Sequence, residues 1–256
     1  MDSNQRNTIV VAAVGVALLA GGIGFAIGRA SVDEAPIADV AIRPTIGSLT
    51  PVGPTATPTE VVLSTQGRIL APGSGAVRPL PEDAACALLA SPGTTAECGE
   101  LATSGPRAVW LIETAPAGNG ATARAVRVLT YVPDEGGWVT RLEAADPGGE
   151  SWAEVGAVST DVTGDGAQEL VVGFRDTSGS LGYDIVGTSP GGVPEVLAHA
   201  GPLAQGRVVF DGGLIDFDET APGTFERRTF AFSSGLFRAV EVVEVPVSTA
   251  PQSQLG

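Results

Sequence analysis

From residue 107 onward the apolar positions repeat with a short period and break at clusters of Gly, Pro or Asp. The runs RAVWLIET (107–114), ATARAVRVLTYV (121–132), GWVTRLEA (137–144), QELVVGF (168–174), LGYDIVGT (181–188), PEVLAHA (194–200), GRVVF (206–210), FERRTFAF (225–232) and LFRAVEVVEV (236–245) are short and alternating or β-branched, which predicts strands. In 124–132, Val126, Val128 and Val132 fall on one face, with Arg127 and Tyr131 on the other, as in a half-buried strand. The segments YVPDEGGW, VFDGGLI and AFSSGLF each set glycine between two apolar strand ends and predict hairpins. One stretch differs: PEDAACALLA (81–90) opens with Pro, continues with Glu82 and Asp83, and is rich in Ala and Leu, so it predicts a helix. The expected fold is mainly β. It is an antiparallel sheet, sandwich-like or partial-propeller-like, with one N-terminal helix.

The first thirty residues have another character. Residues 8–28, TIVVAAVGVALLAGGIGFAIG, carry no charge and are long enough to cross a bilayer core as a helix. They predict a transmembrane anchor, with residues 1–7 as a cytoplasmic tail and the C-terminal part extracytoplasmic. A cleaved signal peptide, with Gly28 and Ala30 before the cut, is the alternative. Ala20, Gly24 and Gly28 form a small-residue stripe on which a weak homodimer of such helices is expected to pack. Residues 31–81 concentrate Pro, Thr, Ser and Gly, a composition that predicts a disordered stalk. The alternative for its last part is that TEVVLSTQGRIL adds to the domain as a strand. The β-domain is expected over 82–246 and a disordered tail over 247–256.

Charge narrows the choice of partners. The net charge is −15, and the fourteen basic residues are all arginine. A phosphate backbone would be repelled, so nucleic acid is not an expected partner. The lack of lysine excludes Schiff-base and P-loop chemistry. The two cysteines, Cys86 and Cys98, are expected to pair as a disulfide in an exported chain. The single histidine, His199, has no G-x-S-x-G elbow to serve and reads as a polar residue at a sheet margin. Asp211, Asp216, Asp218 and Glu219 are irregularly spaced and read as a solvated hairpin rim.

The most chemical stretch is DVTGDGAQEL (161–170), which runs straight into a strand. Asp161, Thr163 and Asp165 alternate, Gly166 permits a sharp bend, and Glu169 follows four residues after Asp165. A helical calcium hand would need an acid at its twelfth position, where Val172 stands. A tight Asp-Gly turn between strands is one reading. The other follows from the pattern D-x-T-x-D-G-x-x-E-L, which resembles the calcium loop of FG-GAP and VCBS-type β-repeats over this short stretch only. That resemblance implies a calcium ion held by the side chains of Asp161, Thr163, Asp165 and Glu169 and the carbonyl of Ala167. The expected affinity is that of extracellular modules, about 10⁻⁴–10⁻³ M. Together these readings predict a membrane-anchored, calcium-stabilised binding or scaffolding module of the cell envelope, with a protein or glycan partner. The alternative is a cell-wall or glycan hydrolase using acidic residues.

Overall fold

The computed structural model describes residues 60–118 and 120–255, which belong to one compact unit. The expected anchor at 8–28, the tail at 1–7, the stripe Ala20, Gly24, Gly28 and the stalk up to residue 59 lie outside the described residues. No helix among the described residues is long and apolar enough to cross a membrane.

The described chain forms three antiparallel sheets, one of six strands and two of four, each built on a run of four consecutive strands. The first sheet contains β3 (Thr95–Leu101), β4 (Ala108–Pro116), β5 (Thr122–Val132) and β6 (Gly137–Asp146); two short strands, β1 (Ala71–Pro72) and β2 (Val77–Arg78), add to the free side of β6. The second contains β7 (Trp152–Thr160), β8 (Glu169–Asp176), β9 (Leu181–Thr188) and β10 (Pro194–Leu203). The third contains β11 (Arg207–Phe210), β12 (Leu214–Ala221), β13 (Thr224–Ser233) and β14 (Leu236–Pro246). The three predicted hairpins are the β5–β6, β11–β12 and β13–β14 connections.

Strand periodicity explains the packing. On β8, Leu170, Val172 and Phe174 pack against Trp110, Ile112, Val126 and Val128 of the first sheet. The alternate residue Val171 joins Tyr183 and Ile185 in a core with Leu214, Phe230 and Phe237 of the third sheet. The second sheet is thus apolar on both faces, which is why its central strands read as nearly continuous apolar runs. A smaller core of Leu89, Val109, Leu111, Leu129 and Trp138 lies on the opposite face of the first sheet, under residues 80–98.

That covering segment corrects the helix expectation. Residues 81–90 form turns and one four-residue 3-10 helix, Cys86–Leu89. Tertiary donors take the carbonyls a helix would have used: Trp138 Nε1–H donates to Pro81 at 3.0 Å, and Arg107 Nη1 donates to Glu82 at 2.5 Å. Ser91 precedes a proline, which disfavours further helix. The Cys86–Cys98 disulfide is formed, tying this turn to β3. Its reduction is expected to cost about 3 kcal/mol, the loop-closure value for a ring of this size. Denaturant unfolding with and without reductant checks this; coincident curves would show that the bond contributes nothing.

Both expected boundaries shift outward. Residues 60–81 are not a free stalk. Leu63 and Leu70 are core residues, Val62 bridges to Arg238 of β14, Ser64 bridges to His199 of β10, and β1 pairs with β6. This short segment therefore crosses all three sheets as a strap. The tail is not free either: Leu255 is fully buried, seated where Gly173 lacks a side chain, and Gln254 N–H donates to the Val208 carbonyl at 2.8 Å. Pro and Thr content marked the 60–81 segment as unable to build a core of its own, yet Leu63 and Leu70, like Leu255 in the tail, dock on a core built by others.

Candidate functional site

The acidic loop joins β7 to β8, adjacent strands paired in register from Thr160–Glu169 onward. Gly164 and Gly166 hold positive φ values of +78° and +87°, so the chain turns tightly between them. Asp161 organises the turn. Its Oδ1 accepts from Gly164 N–H at 2.6 Å and its Oδ2 from Gly166 N–H at 2.9 Å. The Gly164 amide leads the contacts that hold this carboxyl below its usual range. Asp165 Oδ1 accepts from Ala167 N–H at 2.8 Å. Glu169 is buried, and its Oε2 accepts from Val162 and Thr163 N–H at 3.0 and 3.2 Å. Burial raises the Glu169 pKa; its backbone hydrogen bonds oppose this, and the charges of Asp165 and Asp161 add to it.

The loop's donor chemistry fits calcium: carboxylates, the Thr163 hydroxyl and the Ala167 carbonyl are all hard oxygens. A carboxylate has about four lone-pair sites, so the amide hydrogen bonds on Asp161 do not use up its capacity. Among the described residues, however, no three acidic, histidine or cysteine side chains group closely enough to hold a metal. Asp161 is turned onto the loop's own amides instead.

At the opposite end of the β7–β8 pair, where Trp152 stands across from Asp176, the structure holds a second arrangement that the sequence pattern did not reveal. A cleft of about 430 Å³ opens where the strap passes the end of the second sheet. Trp152, Phe174, Asp176, Ser180, Gly182 and His199 are among its lining residues. Trp152 packs on Phe174 with ring centroids 4.9 Å apart. Its backbone is fixed by Asp146, whose Oδ2 accepts from Ser151 and Trp152 N–H, both at 2.8 Å. Burial pushes the Asp146 pKa up, but these and neighbouring amides outweigh it and leave it lowered. Asp176 Oδ1 accepts from Ser178 Oγ–H at 2.7 Å and from the Ser178 and Ser180 amides at 2.8 and 2.9 Å. The Ser178 hydroxyl is the leading cause of its lowered pKa, so Asp176 is an anion at neutral pH.

His199 stands opposite Asp184 in the β9–β10 register. Its Nδ1 lies 2.7 Å from Asp184 Oδ1. Asp184 is fully buried, and its Oδ2 accepts from Ile69 and Leu70 N–H at 2.9 and 2.6 Å. With Asp184 acting as acceptor throughout, Nδ1 carries the hydrogen and Nε2 is the ring's remaining polar atom. His199 is therefore more than a marginal polar residue: it is oriented by a buried carboxylate that also anchors the strap. A sequence signal existed in LGYDIVGT, where Asp184 sits between two inward-facing apolar neighbours.

The second acidic cluster divides. Asp216, expected on a solvated rim, is fully buried. Arg228 donates to it through Nε at 2.7 Å and Nη2 at 3.1 Å, and Tyr183 O–H donates at 2.9 Å. Burial raises the Asp216 pKa even against the lowering by Arg228. The residue lies on a strand, β12, which the run DGGLIDFDET hid behind its turn-like composition.

Comparison of the chain with family models, with curated proteins and with solved structures finds no match.

Proposed function

We propose that this chain is a membrane-anchored, extracytoplasmic binding or scaffolding module whose β-domain is stiffened by one calcium ion in the 161–169 loop. The three consecutive four-stranded meanders, stacked face to face, support a partial-propeller-like reading of the domain. The observation that carries the calcium assignment is Glu169. It is a buried carboxylate raised by burial and by two neighbouring acids, a cost that a cation would relieve. In this reading Asp161, Thr163, Asp165 and Glu169 supply side-chain oxygens and Ala167 its carbonyl. The ion clamps β7 to β8, the two strands that bring Trp152 and Phe174 to the cleft. The hydrolase alternative is less favoured here because Asp176 is the one carboxylate among the described cleft residues, whereas acid-base glycoside cleavage uses a pair.

The test is thermal unfolding in 5 mM calcium against EDTA. For an affinity in the range of extracellular modules, ligand linkage gives about 1–2 kcal/mol, or about 3–8 °C for a domain of this size. Asp165→Ala removes the gain. Glu169→Gln removes it too, and leaves the EDTA melt at or above that of the parent. The pH dependence has a defined sign. A carboxyl raised in the folded state contributes stability below its unfolded pKa, and that contribution is lost as pH rises through the folded pKa. The calcium gain is therefore larger at pH 7 than at pH 5. Identical melts in calcium and EDTA at both pH values would overturn the assignment.

A further inference from the structure

We propose that the cleft between the strap and the end of the second sheet is a binding site for a neutral saccharide unit, with Trp152 as its platform and His199 Nε2 as a directional hydrogen-bonding group. The inference rests on the reading of this chain as a binding module and names the site and the ligand class.

Size, shape and polarity each contribute. At about 430 Å³ the cleft falls in the usual range for small-ligand sites, and its wall is mainly apolar with a few polar groups, as such sites require. Gly182 lines it without a side chain. A Cβ there would stand 3.2 Å from Ile69 Cδ1 and 3.7 Å from His199 Cε1, so glycine lets the strap and the histidine close on the sheet at the cleft's edge. Trp152 is only half-buried, yet it is held on both sides: Phe174 supports the ring, and Asp146 and Arg124 fix its backbone, Arg124 Nη1 donating to the Trp152 carbonyl at 2.6 Å. A ring prepared in this way presents a flat apolar surface at little entropic cost.

The polar groups select among ligands. Asp176 is an anion in the wall and no arginine is among the described lining residues, so an acidic ligand meets repulsion there without a counter-charge. A wholly apolar ligand would strip water from His199 and Asp176 with nothing in return. A cation would find a ring face and a carboxylate whose three turn hydrogen bonds all fall on Oδ1, so the rest of the wall decides against it. Ser151 and Ser180 are among the lining residues, Ser180 Oγ lying 3.2 Å from Ser178 Oγ; a hydroxyl both donates and accepts, whereas an ammonium offers only donors. Sugar hydroxyls do both, and the C–H face of a pyranose is apolar enough to lie on an indole. His199 suits the same partner. Asp184 holds its Nδ1–H, so Nε2 meets a ligand hydroxyl at a fixed angle.

The experiment is saturation-transfer NMR on the full chain in detergent, with cellotriose and chitotriose as probes and choline chloride as the cationic control. Saturation of ring protons of at least one trisaccharide, competed by unlabelled sugar and absent for choline, is the expected result. Trp152→Ala is expected to weaken binding by about ten-fold or more, and His199→Gln by a smaller factor, with the calcium response of the melt retained in both. No transfer to either sugar from a chain that still melts cooperatively would overturn the site. So would transfer that survives Trp152→Ala, or binding of choline alone. A chain that keeps its calcium gain but binds neither sugar loses this cleft assignment only. Loss of the calcium gain with sugar binding intact would overturn the clamp and leave the cleft.

Discussion

Asp184→Ala is expected to lower the unfolding free energy by about 3–5 kcal/mol, the range for removing one partner of a buried charged network. Three donors converge on this carboxylate: the amides of Ile69 and Leu70 and the ring of His199. Leu70 is fully buried, so its amide has no water to turn to once the acceptor is gone. The midpoint is expected to fall by about 6–20 °C for a domain of this size. Asp184→Asn separates shape from charge. Its Oδ1 still accepts from an amide, but its NH₂ faces His199 as a donor, so the imidazole must carry its hydrogen on Nε2 instead. That variant is expected to lose less stability while switching the histidine tautomer. The chain has a single histidine, so ring ¹⁵N shifts report the switch without assignment. An alanine variant as stable as the parent, or an asparagine variant with unchanged ring shifts, would contradict this account.

The second large effect is at Arg228. Replacing it with leucine leaves Asp216 fully buried with Tyr183 O–H as its remaining donor, at a cost of about 3–5 kcal/mol at pH 7. The sign of the pH dependence follows from direction alone. Asp216 already has a raised pKa because burial outweighs its partners, and loss of Arg228 raises it further. A carboxyl raised in the folded state is favourable below its unfolded pKa and unfavourable once it must ionise. The deficit of Arg228→Leu is therefore expected to shrink as pH falls from 7 toward 4. The double variant Asp216→Leu, Arg228→Leu is expected to be more stable than Arg228→Leu alone, since a buried pair replaced by apolar groups costs little. Denaturant unfolding at several pH values tests both statements. A deficit that widens with acidity would show that Asp216 is not the group left unpaired.

These two networks also mark where the sequence stops being legible. Strands whose apolar residues alternate cleanly or run continuously, such as 122–132 and 181–188, are plain in the pattern because burial dictates it. The strands Thr95–Leu101 and Trp152–Thr160 do not stand out. Both are edge strands, rich in Ala, Gly, Glu and Thr, and only lightly buried. Leu214–Ala221 was masked by acids that suggest solvent, because nothing local shows that Asp216 meets Arg228 across a hairpin. Of the candidate sites, the 161–169 loop is legible because all of its chemistry is local. The cleft is not, because it draws on the strap and on strands of the second sheet far apart in sequence. Asp184 and His199 are fifteen residues apart and become neighbours only through register.

The strap has a mechanical consequence. Tension reaching the domain along the chain before Glu60 would act first on the Glu60 and Val62 contacts with Arg238, next on the Ser64–His199 bridge, and then on the amides held by Asp184. The contacts are loaded one after another, so the strap peels instead of shearing as a block. The first to yield join it to the third sheet and the later ones to the second. A moderate pull would therefore free the edge over β14 while His199 and the cleft stay intact, and a stronger one would open the cleft by withdrawing Gly67 and Ile69 from its wall. Force arriving from one end would thus be graded into two steps, the first silent for the cleft and the second not.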